Sequence, residues 1–136
     1  MNEEGPVSEL GSVELPAQST SPGAARRFVS GLINDPGPFC DRVMLLVSEL
    51  VANAVLHART QIAVTVATRG AALRVEVRDG SVQLPMIRDY GPAAITGRGL
   101  RILNATSDRW GAEADDQGKT VWFEIDRASA NAAREA

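Results

Sequence analysis

The spacing of hydrophobic residues changes repeatedly along the chain, and each change marks an element. Residues 1–10 are polar, carry Gly5 and Pro6, and predict a flexible arm. Val13 and Leu15 alternate with polar neighbours and predict a short strand over 11–15, stopped by Pro16. Ser19, Thr20, Ser21 and Pro22 form a helix-start signature, a hydroxyl cap followed by proline in the first turn. Ala25, Phe28, Val29, Leu32 and Ile33 then recur at spacings of three and four, with Arg26 and Arg27 on the other side. The NDPGP run at 34–38 ends that helix. A second helix follows over 39–58, with Val43, Val47, Leu50, Val51 and Ala54 as its apolar stripe. Next come two strands, QIAVTVAT and ALRVEVRD, whose short connection makes them antiparallel. The stretch 80–99 carries two prolines and several glycines, and a loop of that length in a compact domain is usually a lid or a binding loop. Residues 100–105 read as a short helix, and 109–114 with 119–126 as a hairpin around the acidic turn 115–118. The tail 127–136 is alanine-rich and charged.

That order predicts one domain over 11–126 between an arm, 1–10, and a tail, 127–136. The predicted fold class is α+β, an α/β sandwich with helices on one face of a mixed, mostly antiparallel sheet. With 136 residues and 44% hydrophobic content, the chain can build one core without disulfide or metal staples. Its formal charge of −3 gives no electrostatic footprint for nucleic acid or an anionic membrane. A lone cysteine, Cys40, excludes an internal disulfide and any multi-cysteine zinc site. No apolar run reaches the ~18 residues that a transmembrane helix needs, and the polar start is no signal peptide, so a cytoplasmic protein is expected.

Four places carry candidate chemistry. On the second helix, Glu49, Asn53 and His57 fall at about 0°, 40° and 80° of the helical wheel, beside the apolar stripe rather than opposite it. A carboxylate, an amide oxygen and an imidazole on one face suit a hydrated Mg²⁺ and an oriented water. They suit equally a polar helix edge with bonds one turn apart. Asp79, Gly80 and Ser81 end a strand, where a carboxylate can accept from an exocyclic amine and glycine lets a base approach. The same triplet is also what an ordinary turn uses. Gly97, Arg98, Gly99 and Leu100 close the long loop and open a helix, either as a phosphate-binding N-terminus or as a hinge. Gly118, Lys119 and Thr120 invite a P-loop reading that fails, since Glu113 stands where that motif needs glycine and the triplet opens a strand.

The fixed order of these segments is more informative than any one of them. SELVANAVLHA, VRDGSVQLP, GRGLRILNATSDRWG and GKTVWFEI resemble the N, G1, G2 and G3 boxes of the GHKL ATPases. The wording is most similar to that of small stand-alone anti-sigma-factor serine/threonine kinases of actinobacteria. The resemblance implies a Bergerat fold that binds ATP and Mg²⁺. It gives Asn53 to the metal, Glu49 to the attacking hydroxyl as general base, and His57 to the phosphate side. Asp79, with Gly80 and Ser81 beside it, would meet the adenine amine, and Thr120 would help fix that edge. Gly97, Arg98, Gly99 and Leu100 would form the phosphate loop and helix start. Implied partners are a sigma factor and an anti-anti-sigma antagonist, the second being the phosphorylated substrate, and a homodimer stays open. Histidine kinases share this fold but need an accepting histidine on a separate helix, and His57 is the only histidine present. A non-catalytic, ATP-sensing regulatory module is the alternative. Arg26 and Arg27 are a candidate partner surface or simply a solvated helix face.

Overall fold

The computed structural model describes residues 6–34, 37–81 and 97–127, with the side chains of 97–100 outside that set. The elements run β1 (Ser8–Leu15), α1 (Ser21–Ile33), α2 (Pro38–His57), β2 (Ile62–Arg69) and β3 (Ala72–Asp79), then α3 (Gly97–Thr106), β4 (Arg109–Asp115) and β5 (Gly118–Asp126). Their order is the expected one. Three residues of the expected arm, Ser8, Glu9 and Leu10, belong to β1, which pairs with β2 across a register shift between Glu9 and Gly11. Most of the lid, 82–96, and the tail beyond Arg127 lie outside the described residues.

The five strands form one sheet in the order β1-β2-β3-β5-β4, and every described pairing is antiparallel. The two-residue period sorts the side chains. Ile62, Val64 and Val66 of β2, Leu73, Val75 and Val77 of β3, and Val121, Phe123 and Ile125 of β5 are buried on one face. The helices cover that face: Ala25, Val29 and Ile33 of α1 and Val43, Leu46, Val47, Leu50 and Val51 of α2 complete the core, with Leu103 of α3. Burying a side chain of this size stabilises the fold by ~1.5–3 kcal/mol, so this layer is the main source of stability.

Local signals set the ends of the elements. Pro22 sits in the first turn of α1, as its fixed φ favours. Thr20 occupies the N-cap position without a side-chain cap bond, and the Ser21 hydroxyl donates instead to the Pro16 carbonyl. Asn34 ends α1 in the left-handed region, a conformation its short polar side chain tolerates. The β4–β5 turn is held by Asp115, whose Oδ1 accepts from the backbone N–H of Gln117 at 2.8 Å and of Gly118 at 3.1 Å.

The outer face of the sheet is polar and cross-linked. Glu124, fully buried, accepts from Arg69 Nε at 3.0 Å, Arg74 Nη1 at 2.9 Å and Arg109 Nε at 2.8 Å. Burial pushes its carboxyl up, but the three guanidiniums outweigh burial and hold it at about 2. Arg74 also lies 4.2 Å from the centre of the Trp122 ring. That ring lies over Gly111, where an added Cβ would fall 2.8 Å from it, so the hairpin tolerates nothing larger there.

Candidate nucleotide site

The polar stripe of α2 runs from cover to solvent. Glu49 is half-buried, Asn53 is buried and His57 is exposed. Asn53 therefore lies on the core side of the helix, as its wheel position beside Leu50 and Leu46 dictates. Its Nδ2 has no hydrogen-bond partner among the described residues. A buried amide left this way costs ~1–3 kcal/mol unless something else meets it. One turn earlier, Ser48 accepts a hydrogen bond of 2.8 Å from Arg26 Nη1, which ties α1 to α2 next to Glu49. Arg26 and Arg27 are both exposed, but Arg26 is engaged by this bond.

Asp79 closes β3 on the same, helix-facing side of the sheet. It shares the inward phase of Val75 and Val77 and is only 5% exposed. Its Oδ1 accepts from the Ser81 backbone N–H at 2.8 Å, the turn-type bond expected of an aspartate two residues upstream. Gly80 donates its N–H to Thr60 Oγ1 at 2.7 Å, and the room left by its missing side chain faces Thr60 at 3.3 Å. A cavity of about 180 Å³ opens at this end of the sheet, but Glu14, Ala63 and Arg78 in its lining form one outward-phase row, so it opens largely towards the outer face. Gly118 makes the closest backbone approach: an added Cβ would stand 2.2 Å from the Asp79 carbonyl oxygen.

Thr120 stands apart from Asp79. It belongs to the outward phase of β5, with Trp122 and Glu124, and Arg78 Nη1 donates to its hydroxyl at 3.1 Å. The residue facing Asp79 across the β3–β5 register is Lys119. Its Nζ lies 3.4 Å from Asp79 Oδ2, and both side chains are almost fully buried. Sequence reasoning missed Lys119, although the signal was there: Lys119, Val121, Phe123 and Ile125 alternate in one phase, and a shift of one residue exchanges the faces.

Gly97, Arg98, Gly99 and Leu100 form the first turn of α3, so the segment opens the helix as expected, with the helix beginning at Gly97 rather than at residue 100. A glycine-rich helix start is suited to phosphate, because its first N–H groups have no partner within the helix. The helix is tied to the hairpin by Trp110 Nε1, which donates to Asn104 Oδ1 at 2.8 Å. No cluster of three acidic, histidine or cysteine side chains suited to a metal occurs among the described residues.

A two-layer sandwich with a polar stripe on the covering helix, a buried carboxylate at the sheet end and a glycine-rich helix start has the parts of a nucleotide-binding domain. The sequence matches the histidine kinase-like ATPase domain over residues 15–125, and the chain belongs to that family. Among solved structures, the RsbU and RsbW domains of Rv1364c from Mycobacterium tuberculosis are similar, with a TM-score of 0.64 at 16% identity. The match covers 85% of this chain and 32% of that one, so this chain spans about a third of its length. At that identity the likeness speaks for the fold. No curated protein is significantly similar in sequence. No helix among the described residues is long and apolar enough to cross a membrane.

Proposed function

We propose that this chain is an anti-sigma-factor-like serine/threonine protein kinase that binds Mg²⁺-ATP and phosphorylates an antagonist protein in the cytoplasm. The observations that carry the reading are two buried polar side chains on the helix-covered face: Asn53, whose Nδ2 donor has no partner among the described residues and suits a phosphate oxygen, and Asp79 at the sheet end. Asp79 accepts from the adenine amine, and the first turn of α3 meets the phosphates. His57, exposed at the end of the stripe, lies towards the phosphate end.

Magnesium fits the donor set on chemical grounds. Mg²⁺ takes few protein ligands and keeps waters and phosphate oxygens, so the Asn53 amide oxygen suffices as a side-chain ligand. When bound, the ion supplies charge neutralisation at the phosphates. Glu49, half-buried one turn away, takes the proton of the acceptor serine hydroxyl as that oxygen bonds to the γ-phosphorus and the bond to ADP breaks. Most of the acceleration in such transfer comes from positioning and electrostatics, which a buried stripe on a packed helix provides.

Partners follow from the same reading: a sigma factor that is held, and an antagonist whose serine is modified. The test is incubation of the pure protein with γ-labelled ATP, Mg²⁺ and candidate antagonists. Label on an antagonist serine supports the kinase. ATP binding without any transfer would leave an ATP-sensing regulatory module.

A further inference from the structure

Lys119 is a charged side chain that the proposed mechanism leaves unused. Its side chain is 5% exposed, it points to the helix-covered face, and among the described residues Asp79 is its one ion-pair partner. The separation of 3.4 Å exceeds the ~2.7–2.9 Å of a strong charge-assisted hydrogen bond. An ammonium has three donors, and this contact engages at most one of them. Spare donors on a buried cation are costly, and they sit beside a carboxylate whose other oxygen is already fixed by the Ser81 N–H.

We propose that Lys119 is a specificity-determining residue, which reads the base together with Asp79. The inference rests on the assignment of Asp79 to adenine made above. Adenine presents an amine donor and, next to it, the ring acceptor N1. The inner end of the β3–β5 pair presents the complement, a carboxylate acceptor with an ammonium donor beside it. Asp79 takes the amine and Lys119 donates to N1. Guanine in the same pose reverses both partners: its carbonyl oxygen meets the carboxylate, and its N1–H meets the ammonium. Burial keeps water from substituting for either mismatch, so the ordered pair selects adenine.

The test compares ATP with 1-deaza-ATP, which keeps the amine and carries C–H in place of N1, by titration calorimetry with Mg²⁺. The wild-type chain should bind 1-deaza-ATP about ten- to hundredfold more weakly, the usual worth of a charged hydrogen bond. Lys119→Met should bind ATP more weakly by a similar factor and no longer distinguish the two nucleotides. Equal binding of both by the wild-type chain overturns the role of Lys119 and leaves the adenine role of Asp79 standing. Binding of neither overturns the nucleotide reading itself. Should Lys119→Met fail to fold, equal binding of the two nucleotides by the wild-type chain still overturns the role of Lys119.

Discussion

A carboxylate buried at a strand end is held by what surrounds it, and its loss should be felt at one end of the ligand. Asp79→Asn keeps the shape but exchanges one acceptor oxygen for a donor. ATP affinity should fall by ~1.5–3 kcal/mol, roughly ten- to hundredfold, and discrimination against GTP should weaken. Normal ATP binding by this variant would remove Asp79 from the base. The two helix residues should fail differently. Asn53→Ala should weaken nucleotide binding only when Mg²⁺ is present. Glu49→Ala should bind almost normally, while transfer to the antagonist serine falls by ~10²–10⁴, the usual worth of a general base. Affinity and transfer measured on both variants, with and without Mg²⁺, check the pair. The helix stripe was legible because 3.6-residue periodicity fixes which residues share a face, so the burial of Asn53 beside Leu50 follows from the sequence. Thr120 and Lys119 were harder. Only the strand register decides which of two neighbours faces inward, and a glycine turn before them leaves that phase open.

At the level of elements, the β3–β5 pair both carries the candidate site and closes the core. Gly118 permits the approach of β5 to the Asp79 carbonyl, and Gly118→Ala would place a methyl 2.2 Å from that oxygen. The strands would have to part, at a cost of ~1–3 kcal/mol in urea denaturation, with nucleotide binding impaired as well. Gly31 is the contrast: it lies inside α1 with nothing within 4 Å of an added Cβ, so Gly31→Ala should stabilise by ~0.5–1 kcal/mol. The outer face gives an acid limit. Glu124 is held at about 2, below its ordinary 4.5, so its contribution is fully present above about pH 4.5 and is lost as pH falls towards 2. Stability against urea should decline across that window. Glu124→Gln should flatten the decline and cost ~3 kcal/mol at neutral pH, since three guanidiniums lose their shared carboxylate. Alternation in ALRVEVRD showed that Arg74 and Arg78 share a face. The meeting of Arg74 with Glu124 and of Arg78 with Asp115 depends on non-local pairing, which no local pattern states.

For the molecule as a whole, one covered sheet face accounts for the core and for the candidate site at its end. Element order was readable because helix and strand periods differ and the breaks carry Pro and Gly. Strand order was not, because β5 reaches β3 only after the long loop and α3 have been crossed. The central claim is that this sandwich binds Mg²⁺-ATP in its native state, and the most direct measurement is a thermal melt at increasing Mg²⁺-ATP. Binding to the native state alone adds RT ln(1 + [L]/Kd), about 2.7 kcal/mol at a hundred times Kd. The account predicts a midpoint that rises continuously with nucleotide and rises less for Asp79→Asn. A wild-type midpoint unmoved by millimolar ATP with Mg²⁺ would contradict it.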